Sequence, residues 1–213
     1  IGTFLHYLLE HVTKDVLDRG GFAAVGEEDL HALVRRYIEQ YAAEVLQNLE
    51  GRNARFRYLF ARLRNTAYAV VDQIAEEMRC SDFVPLAFEL SFGERGELPA
   101  VTVSEPDAER RIGGKVDRVD GWVKDNRLYL RVVDYKSGKK AFDLAAVRMG
   151  LDIQMLLYLF ALKKEGKQRF GMDIEPAGVL YLPARDEILS AERNITPEQL
   201  QSQREKELRR TGL

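Results

Sequence analysis

The hydrophobic period of this chain changes near residue 80 from helical to strand-like, and that change restricts it to folds that set helices against a sheet. Before the change, Phe4, Leu5, Leu8, Leu9, Val12 and Val16 recur at helical spacing, and Gly20-Gly21 ends the run. Gly26 and then Glu27-Glu28-Asp29 start a second helix, with acidic residues where the helix dipole favours them; it runs to about Asn48, and Gly51 breaks it. Asn53 is placed to cap a long helix from Ala54 to about Met78, with Phe56, Leu59, Phe60, Leu63 and Ala67 on one face. After the change, Phe83 to Phe92 and Val101-Thr102-Val103 read as strands. Arg111 to Val123, holding Ile112, Val116, Val119 and Trp122 among polar residues, and the more apolar Leu128 to Tyr135 form a β-hairpin about the turn Asp125-Asn126.

Further on, Asp143 caps a short helix that stops at Gly150, and Asp152 starts another from Ile153 to about Lys164. This last helix is apolar almost all round and therefore expected to be buried. Pro176 to Leu182 is a late strand, and Thr196-Pro197-Glu198-Gln199 carries the signature of a helix start in a polar tail. The order predicts a mixed α/β (α+β) fold, a central mixed sheet with helices packed on it. A single domain over 1–213 would comprise a helical layer (1–80), a sheet–helix core (81–190) and a tail helix (191–213).

The totals narrow the function classes. Apolar residues make up 46% of the 213, enough for a packed core, and no run approaches the ~18 apolar residues of a membrane span. The opening Ile-Gly-Thr-Phe-Leu-His has neither the basic region nor the cleavage site of a signal peptide. It lacks an initiator Met and starts on helix-like sequence, so the chain is read as a piece of a longer protein. Cys80 is the only cysteine, which excludes disulfides and cysteine metal clusters within the chain. A net charge of −2 argues against coating nucleic acid by bulk charge, though not against a local basic track.

The chemistry gathers in two strand segments. Gly114-Lys115-Val116-Asp117-Arg118-Val119-Asp120 is followed, past the turn, by Val132-Val133-Asp134-Tyr135-Lys136-Ser137. Asp134 and Lys136 are two apart on a strand and so share a face, ~7 Å apart along it. A carboxylate and an ammonium at the end of an apolar strand are costly unless something uses them. Asp117 on the partner strand can converge on them, whereas Asp120, three residues on, should face the other side. Carboxylates hold hard Mg²⁺, which lowers the pKa of a bound water and clamps a phosphate; a lysine beside it can orient or deprotonate that water, or stabilise developing charge.

These residues resemble the PD-(D/E)XK nuclease superfamily, and more closely its RecB-like branch. Besides Asp117 with Asp134-Tyr135-Lys136, Gly2-Thr3-Phe4-Leu5-His6 is similar to the branch's Gly-Thr-x-x-His opening, and Gln154-Met155-Leu156-Leu157-Tyr158 to its Gln-x-x-x-Tyr helix motif. Glu89, in Phe88-Glu89-Leu90, resembles the auxiliary acidic position. The motifs occur in family order and span residues 2 to 158. The resemblance implies a restriction-endonuclease-like fold and a Mg²⁺- or Mn²⁺-dependent deoxyribonuclease of exonuclease type. It implies Asp117, Asp134, His6 and the Tyr135 carbonyl as metal ligands, Lys136 acting on water or phosphate, and Gln154, Tyr158 and Glu89 supporting the site. The strings Gly-Lys-Val-Asp-Arg-Val-Asp and Asp-Tyr-Lys-Ser-Gly bring it nearest to AddB-type nuclease regions. That type implies single-stranded DNA fed by a helicase, an AddA-like partner, cutting of the 5′-ended strand, and double-strand-break repair in a bacterial cytoplasm. AddB-type nucleases also hold an iron–sulfur cluster on four flanking cysteines; Cys80 does not match that pattern, so such a cluster belongs to a full-length parent and is not ligated within this chain.

Each feature also has a bland counterpart. Asp134 and Lys136 could form an ordinary strand-end ion pair, and His6, like His11 and His31, a packed or surface histidine. Gln154 and Tyr158 could be satisfied polar breaks in a helix. Arg52, Arg55, Arg57, Arg62 and Arg64 could be a solvated helix face or a DNA track; Arg55 and Arg62 share a face, and Lys139-Lys140, just past the site, are placed to touch phosphate. Two rival functions stand beside the nuclease: a non-catalytic nuclease-fold scaffold that holds DNA or a partner protein, and a stand-alone RecB-like exonuclease.

Overall fold

The computed structural model describes residues 2–46, 51, 53–105, 108–136, 138, 142–151, 153–185, 195–207 and 211–213. They fall into two compact units, one helical and one built on sheets.

The helical unit comprises Ile1–Ser81, Lys136–Lys139 and Pro183–Arg209. Helix α1 (Gly2–Asp18) buries Phe4, Leu5, Leu8, Leu9, Val12 and Val16, the expected stripe. It stops where Gly20 and Gly21 take φ of 100° and 92°, a region open to glycine but costly for other residues. Helix α2 (Glu27–Tyr41) follows and passes into a π-helical turn over Ala42–Leu46, before the expected end at Asn48, which lies outside the described residues. Asn53 caps α3 (Ala54–Arg79) by accepting the Phe56 N–H at 2.8 Å. Polar ties complete the packing: Tyr37 donates to Asp15 at 2.9 Å, His31 and Asp72 meet at 2.7 Å, and Arg79 donates to the carbonyls of Phe22 and Val25. Burial raises the Asp15 carboxyl, but hydrogen bonds from Tyr37, Arg19 and Arg36 outweigh it and hold the group below its ordinary value. Helix α7 (Pro197–Glu207) opens with the expected reciprocal cap between Thr196 and Gln199.

The second unit holds a sheet of five strands in the order β1 (Val84–Phe92), β4 (Gly114–Lys124), β5 (Arg127–Lys136), β6 (Ile174–Pro183), β7 (Thr211–Gly212). Strands β1, β4 and β5 are antiparallel neighbours. Leu128 donates to the Asp173 carbonyl and Ala184 to the Lys136 carbonyl, so β6 runs parallel to β5 and the sheet is mixed. Asp125 and Asn126, with φ of 49° and 59°, make the hairpin turn where the sequence placed it. The expected strand from Arg111 to Val123 is divided instead: β2 (Val101–Glu105) and β3 (Ala108–Ile112) form their own two-stranded sheet, and β4 starts only after Gly113. Asp143 caps α4 (Leu144–Arg148) by accepting the Ala145 N–H.

Helix α5 (Gln154–Glu165) lies against the sheet, burying Met155, Tyr158, Leu159, Ala161 and Leu162 in one core with Val116, Val119, Leu130 and Val132. The expectation that it is covered on every side needs correction. Phe160 is 59% exposed, because the sheet covers one side of the helix only. Its predicted first residue, Asp152, lies outside the described residues. A short α6 (Lys167–Phe170), closed by Gly171 at φ 73°, and the two-residue β7 had no periodic signal to announce them.

Behind the sheet core runs a buried ionic group. Arg118 and Asp120 are fully buried on β4 and two apart, so they share a face. Arg118 donates to Asp120 at 3.0 Å, and Arg131, directly across on β5, donates to the same oxygen at 2.9 Å. Burying such charges is costly unless they neutralise each other, and removing one partner leaves the remainder uncompensated. Asp120→Ala, which deletes the carboxylate both guanidiniums share, should therefore destabilise the protein by about 3–5 kcal/mol, read as a lowered urea midpoint.

Candidate active site

The site begins where β4 and β5 part. Their paired register ends, toward the start of β4, at Arg118 opposite Val133. One residue beyond on each strand stand Asp117 and Asp134, and the ladder that should serve the Tyr135 N–H is gone. Asp117 replaces it: its carboxylate accepts the Tyr135 N–H at 2.7 Å. A carboxylate that accepts a backbone N–H at a fork is held in one place, which is what a ligand needs.

Across β1 the alternation of side chains slips at the same level. Ala87 and Leu90 on β1, and Val116 and Val119 on β4, all lie in the core although they are three apart. A regular period-two strand cannot do that. Glu89, inside the slip, has φ of 51°, a left-handed conformation sparsely used by residues other than glycine, asparagine and aspartate. Between the pairs Phe88–Arg118 and Leu90–Val116, Glu89 stands opposite Asp117, and their carboxylate oxygens come within 4.8 Å. Lys115 forms an ion pair with Glu89 from the neighbouring strand. Two carboxylates this close repel unless cations lie nearby, and both remain partly accessible.

Asp134 and Lys136 occupy alternate positions at the end of β5, both half-buried, and one Asp134 oxygen is shielded from solvent. Between them Tyr135 points the other way, into the ionic group behind the sheet. Its hydroxyl accepts from Arg118 at 3.1 Å, and the guanidinium lies 5.7 Å from its ring centre. Burial pushes the Tyr135 phenol up to about 12 from 10.0; the Asp120 and Asp117 charges add to the rise and Arg118 opposes it.

Gln154 and Tyr158, one turn apart on α5, are brought together: the Gln154 amide donates to the Tyr158 hydroxyl at 2.7 Å. Tyr158 stacks on Phe92 with ring centres 4.9 Å apart, and its hydroxyl lies 3.5 Å from the Gly113 carbonyl. A side chain at Gly114 would place its Cβ 1.6 Å from that hydroxyl. The Gln–Tyr pair thus grips the start of the strand that carries Asp117.

His6 lies half-buried on α1 in the helical unit, between buried Leu5 and Leu8 along the chain; Lys136 groups with that unit. Arg55 is exposed and Arg62 half-buried on α3. Lys139 and Lys140 lie outside the described residues. Sequence reasoning missed Lys115, Arg118 and the inward role of the Tyr135 ring. The string Lys115-Val116-Asp117-Arg118 contained them, but strand alternation alone does not tell which face is buried.

The chain belongs to the PD-(D/E)XK nuclease superfamily, whose model matches residues 1–211, and its mixed sheet with helices is the restriction-endonuclease-like fold of that superfamily. Its curated relatives narrow the class to AddB-type proteins. It is 32% identical to an ATP-dependent helicase/deoxyribonuclease subunit of Ruminiclostridium cellulolyticum, over all of this chain and 19% of that protein. It is 33% identical to the protein of the same name from Acetivibrio thermocellus, again over all of this chain and 19% of the relative. The match to its namesake in Caldanaerobacter subterraneus subsp. tengcongensis is 32%, over all of this chain and 18% of that protein. The chain therefore spans about a fifth of the curated relatives it matches.

Two outcomes follow from the geometry. Gly114→Ala should push Tyr158 off the start of β4 and cost about 1–3 kcal/mol, read as a lower unfolding midpoint. Because the folded Tyr135 pKa of about 12 lies above the ordinary 10.0, the unfolded chain ionises this residue first as pH rises. Stability held below pH 10.0 is lost between there and about 12. Urea midpoints across that window should fall less steeply for Tyr135→Phe than for the parent chain.

Proposed function

We propose that this chain is the DNA-hydrolysing domain of an AddB-type helicase–nuclease, cutting single-stranded ends that an AddA-like partner and the helicase parts deliver during double-strand-break repair in a bacterial cytoplasm. The observation that carries the proposal is the Asp117 carboxylate, fixed at the fork of β4 and β5 by the Tyr135 N–H and within 4.8 Å of Glu89. The names of the curated relatives, helicase/deoxyribonuclease subunits, support the substrate class.

The donor set fits a hard divalent cation. Crowded carboxylates need positive charge between them, and oxygen ligands suit Mg²⁺ or Mn²⁺. Asp117 and Asp134 would hold it, with the Tyr135 carbonyl and, by its Gly-Thr-x-x-His context, His6 as further ligands and Glu89 as the auxiliary carboxylate. When bound, the ion supplies a lowered water pKa and a clamp on the scissile phosphate. Lys136 neutralises the charge that develops on the phosphate as water oxygen, giving its proton to solvent, bonds to phosphorus and the leaving oxygen departs, taking up a proton from solvent. Gln154 and Tyr158 keep β4, and so Asp117, in register; the buried Arg118 locks the Tyr135 ring, which leaves its backbone N–H aimed at Asp117.

Calorimetric titration with Mg²⁺ and Mn²⁺ tests the reading. Asp117→Ala and Asp134→Ala should each abolish binding. Lys136→Ala should retain the ion while single-strand cleavage drops by about 10²–10³-fold. Ion binding that survives both carboxylate substitutions, or full cleavage by Lys136→Ala, would sink the assignment.

A further inference from the structure

The first half of α3 carries a charge pattern that the fold does not use. From Ala54 to Val71 the helix holds Arg55, Arg57, Arg62 and Arg64 and no acidic residue; Asp72 is the first. Arg55, Arg57 and Arg64 are exposed, and none of the four is paired with a carboxylate among the described residues. By contrast Arg19, Arg36, Arg118, Arg127, Arg131 and Arg169 each face one. Arg55 and Arg57 also sit in the opening turns of the helix, where the dipole repels cations and favours anions.

The apolar content of the same turns is divided. Phe60 is buried and in edge contact with Phe4 of α1, and Phe56 stacks on it in parallel, ring centres 6.4 Å apart. These rings anchor one side. Tyr58 is 64% exposed and Leu59 48%. At 100° per residue, Tyr58 lies on the side away from Phe56 and Phe60, with Arg55 and Arg62 on one flank and Arg57 and Arg64 on the other. One aromatic ring between two pairs of guanidiniums spread over ~10 Å of helix suits one class of ligand. Bases stack on the ring without regard to sequence, and phosphates meet the cations on either side. A protein occupant would have to bring a carboxylate for each arginine and still bury the ring.

We propose that this crest of α3, centred on Tyr58, is a track for single-stranded DNA. That the strand is DNA rests on the hydrolase reading above; the track itself rests on α3 alone. The test is fluorescence anisotropy of a labelled single-stranded oligothymidylate with the whole chain, in EDTA so that cleavage cannot intervene. Tyr58→Ala should weaken binding about 5- to 160-fold with little change in its salt dependence, and Tyr58→Phe should restore it. Arg55→Gln with Arg62→Gln should weaken binding and reduce the salt slope by roughly 1.4. Circular dichroism establishes that each variant remains helical. Absence of oligonucleotide binding by the parent chain, or binding indifferent to these substitutions, overturns the track and leaves the crest as a protein-facing surface. The two readings fail separately: α3-independent binding with Asp134-dependent cleavage removes only the track, whereas α3-dependent binding with no cleavage in Mg²⁺ removes only the hydrolase.

Discussion

The separation of β4 from β5 just past Arg118 and Val133 is the constraint on which the candidate site depends. A backbone N–H that loses its ladder partner inside a protein must find another acceptor. Here the acceptor is Asp117, so one hydrogen bond closes the fork and fixes a carboxylate beside it. A continuous ladder would have satisfied Tyr135 with a carbonyl and left Asp117 free to rotate. The candidate site thus lies where regular pairing stops.

The two sides of these strands divide the electrostatics. Asp117 and Glu89 bring two carboxylates together on the site side, while Arg118 and Arg131 share Asp120 behind it. Tyr135 joins the two, its backbone N–H bonded to Asp117 and its hydroxyl to Arg118. Strand alternation sends neighbouring residues to opposite faces, and the slip near Glu89 and Asp117 lets Ala87 and Leu90, and Val116 and Val119, reach one core. The left-handed backbone at Glu89 is the local cost, and such strain persists only where surrounding structure enforces it. Tyr158, wedged against Gly114 and stacked on Phe92, supplies part of that enforcement by holding the ends of β1 and β4 together.

Much of the framework was legible because its signals are local. The stripe from Phe4 to Val16, the caps at Asn53, Asp143 and Thr196, and the Asp125-Asn126 turn each act within a few residues of themselves, and all take the expected form. The break at Gly113 was not legible. Residues 111 to 123 alternate well enough to read as one strand, and only Tyr158 and Phe92, distant in sequence, show why the chain must turn there. Phe160 misled for a related reason: an apolar helix looks the same whether a sheet covers one side or two, and here it covers one.

Local chemistry thus settled which residues could serve the site: a carboxylate and a lysine two apart on a strand, a second carboxylate across a hairpin, a glutamine and a tyrosine one helical turn apart. Their types and spacings follow from bond geometry, which a linear string preserves. Tertiary packing decided what each of them touches. Asp120 became part of the buried ionic group and Asp117 the acceptor at the fork, although both are aspartates three residues apart in one strand. The choice was made by which face meets α5 and where β5 turns away. Those are long-range contacts, and no short-range periodicity encodes them.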